Sequence, residues 1–162
     1  MTQRILSTAP VLLLLLAGGV SAAVAFELDD QYGKKHTEAD IFAGAPVIMM
    51  AGMARKTPDA MEAWDKALRA KAPSGVRVIG LSNLDDVPFF VPKGSITKAL
   101  IKQLPKTTVL CDWDGKVYRK LDFPDEATIA VGVFNADGKR LGIVNGEVDD
   151  TRMQEVLGLV PR

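Results

Sequence analysis

Residues 46–64 read "PVIMMAGMARKTPDAMEAW". Residues 45–51 form a continuous apolar run of strand length, which suits a strand covered on both faces in a mainly parallel sheet. After a short loop, Thr57 and Pro58 provide a helix start: a side-chain oxygen at the N-cap and a proline at the first helical position. In "PDAMEAWDKALRAK", Met61, Trp64 and Leu68 fall on one helical face. Glu62 with Lys66 and Asp65 with Arg69 stand at i,i+4 spacing for ion pairs. The next apolar run, "VRVIGL" at 76–81, reads as a second strand. A helix between two strands predicts a right-handed parallel crossover, so this stretch points to an α/β domain.

The remaining elements extend that unit in both directions. Upstream, residues 26–28 are a short extended piece followed by a turn at Tyr32-Gly33-Lys34. Downstream, the loop "SNLDDVPFFVPKGS" leaves the carboxyl end of the second strand, where open α/β sheets place their ligands. A second helix is expected over 96–103. "TTVLCDWDGKVYRKL" reads as a strand ending at Cys111, a turn through Asp114-Gly115, and an extended return. "TIAVGVFNADGKRLGIVNG" reads as a β-hairpin with strands 128–134 and 140–144 around a polar turn. A last helix, 150–158, carries Met153, Val156 and Leu157 on one side. No internal repeat or low-complexity linker interrupts the chain, and 162 residues suffice for one domain that buries about 70% of the surface its unfolded chain exposes.

The first 25 residues have Arg4 near the amino end, an apolar centre from Val11 to Ala17, and the small-x-small triplet Ala23-Val24-Ala25. This is the anatomy of a secretory signal peptide cleaved after Ala25, leaving an exported, periplasmic domain over 26–162. The apolar centre is too short for a spanning anchor and is interrupted by Gly18 and Gly19. Loss of Arg4 leaves 19 basic against 20 acidic residues. A balanced domain has no source of strong counterion-release binding, which argues against nucleic acid as a partner. With one cysteine in the chain, no internal disulfide forms, and stability rests on packing.

The order of a βαβ unit, second helix, hairpin and final helix resembles the thioredoxin-like fold. The chain is similar to the exported thioredoxin-like proteins of the YtfJ family through "MAGMARKTPDAMEAW", "GLSNLDDVPFFV" and "VGVFNADGKRLGIVNGEVDDTRMQEVLGLV". More distantly it resembles peroxiredoxins and redoxins. Peroxiredoxins carry Thr-Pro-x-Cys at the loop-to-helix junction, where the helix N-terminus stabilises thiolate. The same spacing here gives Thr57-Pro58-Asp59-Ala60, and alanine cannot attack a peroxide or a disulfide. There is no Cys-x-x-Cys pair, and Ala127 stands where redoxins use a proline ahead of the hairpin strand.

Each candidate site has an ordinary structural reading beside the functional one. Arg55, Lys56 and Thr57 at a helix start suit an anion, or simply a capped helix with solvated bases. Cys111 is either a reactive thiol or a small buried hydrophobe, and Asp112 and Asp114 are expected to raise its pKa. Asp112, Asp114, Asp85 and Asp86 are carboxylates that suit a hard cation, but the Asp-Gly step is also what a turn requires. His36 with Met49, Met50, Met53 and Met61 raises copper, since thioethers suit Cu(I), although core packing accounts for the methionines. Phe89 and Phe90, between prolines, are either an exposed apolar patch or two core rings. The sequence thus favours a noncatalytic exported module, without cofactor or metal, that binds a protein or small ligand at Arg55–Thr57, Asn83–Pro92 and Ala127. The alternative is a one-cysteine oxidoreductase relying on Cys111.

Overall fold

The computed structural model describes residues 25–53, 56–124 and 129–161. The leader through Val24, Arg55 and Ala127 lie outside the described residues. The central strand is β3 (Val47–Met53), joined to β4 (Arg77–Asn83) by α2 (Pro58–Lys71). Strand β5 (Val109–Asp112) follows α3 (Lys93–Gln103), and β6 (Ile129–Phe134) pairs with β7 (Arg140–Asn145) ahead of α5 (Asp150–Leu159). The five strands lie in the order β5-β4-β3-β6-β7, with β3, β4 and β5 parallel and β6 antiparallel to both its neighbours. This is the thioredoxin-like arrangement: a mixed sheet, a βαβ crossover, a C-terminal hairpin and a final helix.

Strand β3 is hydrogen-bonded along both edges, and its first six residues are buried. Its side chains alternate between two cores. Ile48 and Met50 join Trp64, Leu68, Val131 and Val156, while Val47, Met49 and Ala51 join Phe42, Leu81, Tyr118 and Phe134. The uninterrupted apolar run therefore reflects a strand with no solvated face. Gly52 has no room for a side chain, because a Cβ there would collide with Thr57 Oγ1 at the start of α2.

On α2, Met61, Trp64 and Leu68 face the core as their spacing predicts. Trp64 is fully buried and its Nε1–H donates to Gly146 O at 3.0 Å, tying the helix to the end of β7. Asp65 and Arg69 pair at 3.0 Å, whereas Glu62 and Lys66 form no ion pair among the described residues. Thr107 links to both members of the Asp65–Arg69 pair.

Three features extend or depart from the sequence reading. The N-terminal piece is a small hairpin, β1 (Glu27–Asp29) with β2 (Lys35–Thr37), followed by the short helix α1 (Glu38–Phe42) with a Thr37–Asp40 capping box. Gln31 then closes the outer edge of β5, donating to Thr107 O and accepting from Val109 N, each at 2.7 Å. The expected extended return after Gly115 is instead the helix α4 (Lys116–Lys120). Gly115 enters it at φ 65°, and Asp112 Oδ2 accepts from Tyr118 N at 2.7 Å, so the strand end fixes the helix and buries Val117 and Tyr118. Finally, Thr57 does not cap α2 with its side chain. Its buried hydroxyl donates to Met53 O at 2.9 Å, locking the loop behind the helix.

Because Trp64 both fills the core and makes a buried hydrogen bond, Trp64→Ala is expected to cost about 3–5 kcal/mol. Urea denaturation monitored by far-UV circular dichroism measures this, and a shift no larger than that of an exposed substitution such as Lys66→Ala contradicts it.

Candidate functional site

The parallel strands β3, β4 and β5 end on the same side of the sheet, and their carboxyl ends carry most of the residues singled out above. Lys56 is exposed in the turn that leads into α2. Thr57 and Asn83 are buried, so they support this face from beneath and do not line its surface. Asn83 Oδ1 accepts from Asp85 N at 3.1 Å, which shapes the start of the following loop. Asp85 is held by Arg119 Nη1 at 2.8 Å, and Arg119 also donates to Asp114 O. Arg119 is a residue that sequence reading missed, since it reaches Asp85 across 34 positions with no local signal. A Cβ on Gly115 would sit 2.6 Å from both Arg119 Nη1 and Asp85 Oδ2, so glycine lets this pair close over the strand ends.

The Val87–Pro92 segment is the outermost part of the face. Phe89 is 100% exposed and Phe90 73% exposed, with ring centroids 5.7 Å apart in an edge-on contact. Neither ring turns into the core. Below them, Val87, Pro88, Phe90, Val91 and Ile96 line a shallow cleft of about 270 Å³. Lys93 Nζ lies 4.7 Å from the centroid of the Trp113 ring beside it.

At the junction where redoxins place their attacking thiol, Ala60 packs in the first turn of α2. It lines a cleft with Asp59, Ala63, Glu147 and Val148. The cleft therefore brings two carboxylate-bearing residues to the position where a thiolate would form.

Cys111 is buried at 2% exposure on β5, and among the described residues its Sγ has only a long contact of 3.9 Å to Val109 O. Burial pushes its thiol up to about 12, with the charges of Asp30 and Asp29 adding to the shift. Desolvation dominates, and the contributing carboxylates come from the N-terminal hairpin and not from Asp112 and Asp114, the residues expected from the sequence. A thiol held that high stays protonated at neutral pH.

Asp112 is fully buried, with Oδ2 on the Tyr118 amide and Oδ1 lacking a hydrogen-bond donor among the described residues. Burial raises its carboxyl above the ordinary range, against the pull of the Tyr118 amide; adjacent Asp114 raises it further. Asp114 itself is held low, chiefly by Lys116. No three His, Cys, Asp or Glu side chains converge to hold a metal ion among the described residues. His36 lies on β2, where Nε2 meets Asp30 Oδ2 at 2.9 Å. Burial raises the Asp30 carboxyl, but hydrogen bonds from His36 and the amides of Lys34 and Tyr32 outweigh it, leaving Asp30 low. Met49 belongs to one core and Met50 and Met61 to the other, so these thioethers are not assembled with His36.

Among solved structures, the chain is similar to a secreted disulfide oxidoreductase of Mycobacterium tuberculosis homologous to Escherichia coli DsbE (20% identity; 83% of this chain and 92% of that one; TM-score 0.57). It is also similar to the exposed lipoprotein thioredoxin of Streptococcus pneumoniae (16% identity; 83% and 98%; TM-score 0.62). A third similar structure is peroxidoxin BcpB of Mycobacterium tuberculosis (18% identity; 83% and 90%; TM-score 0.61). At these identities the likeness defines a thioredoxin-like fold. No family model and no curated protein matches the chain.

Two expectations follow. Because the charged form of Asp112 is disfavoured in the folded state, its ionisation lowers stability as pH rises from the unfolded to the folded pKa; below both values the cost is absent. Asp112→Asn keeps an acceptor for the Tyr118 amide, so it is expected to raise the denaturation midpoint at neutral pH. The gain over wild type should shrink as pH falls through the raised folded-state pKa and be gone below the ordinary carboxyl value of about 4, and a constant gain or a loss at neutral pH contradicts this. In an Ala60→Cys background, neutralising the carboxylate with Glu147→Gln is expected to lower the pKa of the new thiol. Alkylation rate against pH reads it, and an unchanged or raised pKa contradicts it.

Proposed function

We propose that this chain is an exported thioredoxin-fold module of the YtfJ kind that has no thiol redox catalysis and works by binding, through the face at the carboxyl ends of β3, β4 and β5. The observation that carries the reading is the fate of the two thiol positions. The attacking position is Ala60 in the first turn of α2, and the chain's one cysteine is buried with its thiol pushed to about 12. A scaffold similar to disulfide oxidoreductases does not bring their reaction with it, since function resides in the site.

The leader expected over residues 1–25 supports an exported, periplasmic location. No described helix is long and apolar enough to cross a membrane. The binding face retains Lys56, the Asp85–Arg119 pair, Asp86 and the Phe89–Phe90 tip; Thr57 and Asn83 set its backbone.

Disulfide reduction and peroxide consumption by the purified protein, compared with Cys111→Ala, test this reading. The expected result is no turnover above the variant for either reaction. Turnover that disappears with Cys111→Ala overturns it in favour of a one-cysteine oxidoreductase.

A further inference from the structure

We propose that the Phe89–Phe90 tip and the outer surface of α3 dock on an anionic lipid surface, a bilayer rich in phosphatidylglycerol-type headgroups. The inference rests on the reading of this face as a noncatalytic binding surface and names its partner.

The first observation is shape. Phe89 is wholly exposed and Phe90 nearly so, each ring touching the other edge-on at the end of a loop bounded by Pro88 and Pro92. Proline fixes φ, so the loop holds two apolar rings outward at little entropic cost. A pocket for a small ligand is concave and buries most of its occupant. Here Phe89 projects fully, and the cleft beneath the tip, at about 270 Å³, is smaller than the roughly 300–1,000 Å³ of ligand pockets. A lipid interface accepts projecting rings without needing a complementary pocket, and aromatic residues favour the headgroup level.

The second observation is charge. The whole chain is balanced at 20 basic and 20 acidic residues, yet residues 87–103 contain Lys93, Lys98 and Lys102 and no acidic residue. Like Lys34, Lys56, Lys66 and Lys139, these three lysines have no ion pair among the described residues, and Lys93 lies over the Trp113 ring. On α3, Leu100 turns into the core, while Ser95, Lys98, Ala99 and Lys102 form an exposed stripe at helical spacing. The acidic groups next to the loop are already occupied or withdrawn: Asp85 pairs with Arg119, and Asp86 is half-buried. An apolar tip that leads directly into a helix carrying three exposed lysines and no acidic residue is complementary to a negatively charged bilayer, where each lysine near the surface strengthens binding several-fold. A protein partner would have to supply both a socket for two rings and a run of carboxylates.

The test is cosedimentation of the full chain with vesicles of phosphatidylcholine alone or of phosphatidylcholine with phosphatidylglycerol. The N-terminal segment is common to all variants, so differences between them report the loop and α3. Binding is expected only to the anionic vesicles and should weaken as salt is raised. Phe89→Ser with Phe90→Ser should lower it by at least about tenfold, and Lys93→Gln with Lys98→Gln by about tenfold or more. Phe89→Trp should add blue-shifted emission on anionic vesicles that brominated lipid quenches. Equal binding to both vesicle types, no binding beyond that of the double-phenylalanine variant, or a Phe89→Trp signal unmoved by lipid overturns the proposal. If such a loop instead proves to bind a protein, the docking class named here is wrong while the noncatalytic reading, tested by turnover, stands.

Discussion

Strand β3 has no free surface: both edges are hydrogen-bonded, and its alternating side chains enter two separate cores. That double coverage sets the height at which α2 begins, because Gly52 must give way to Thr57 and the Thr57 hydroxyl must reach back to Met53 O. The first turn of α2, and Ala60 with it, is thereby fixed against the end of the sheet. The constraint aims the Ala60 methyl group into a cleft that also holds Asp59 and Glu147.

The second strand end shows the opposite disposition. Cys111 lies one residue from the carboxyl terminus of β5, close in sequence to the working face, yet it is inside the core and its ionisation is opposed mainly by burial. Asp112, next to it, accepts the Tyr118 amide and organises α4, which brings Arg119 over Asp85. The polar groups at this end of the sheet are thus largely spent on holding one another. What they leave outward is Lys56, the Phe89–Phe90 tip and the lysines of α3.

The elements legible in the sequence are those whose pattern is set by coverage. The apolar run of β3, the Met61-Trp64-Leu68 stripe and the hairpin around Asn135 to Gly138 each express which faces are buried. The short helix α4 was not legible because Val117 and Leu121, four apart, fit strand alternation as well as a helical turn, and the decisive contact is a side chain from the preceding strand. The Thr57 residue type suggested a cap, but tertiary contact with β3 gave its hydroxyl another partner. Whether Phe89 and Phe90 point in or out depends on how the loop crosses the sheet end, and no local signal contains that. Arg119 depends on a pair 34 residues away in the chain.

The central claim, that this fold has kept its frame and lost its reactive thiol, is tested most directly by the reaction of Cys111 with a thiol reagent in the folded protein. Alkylation should be slow at neutral pH, should accelerate only toward strongly alkaline pH, and should match a free thiol once the chain is unfolded in denaturant. Rapid labelling of the folded protein at neutral pH, at a rate near that of the unfolded chain or above it, would contradict the account.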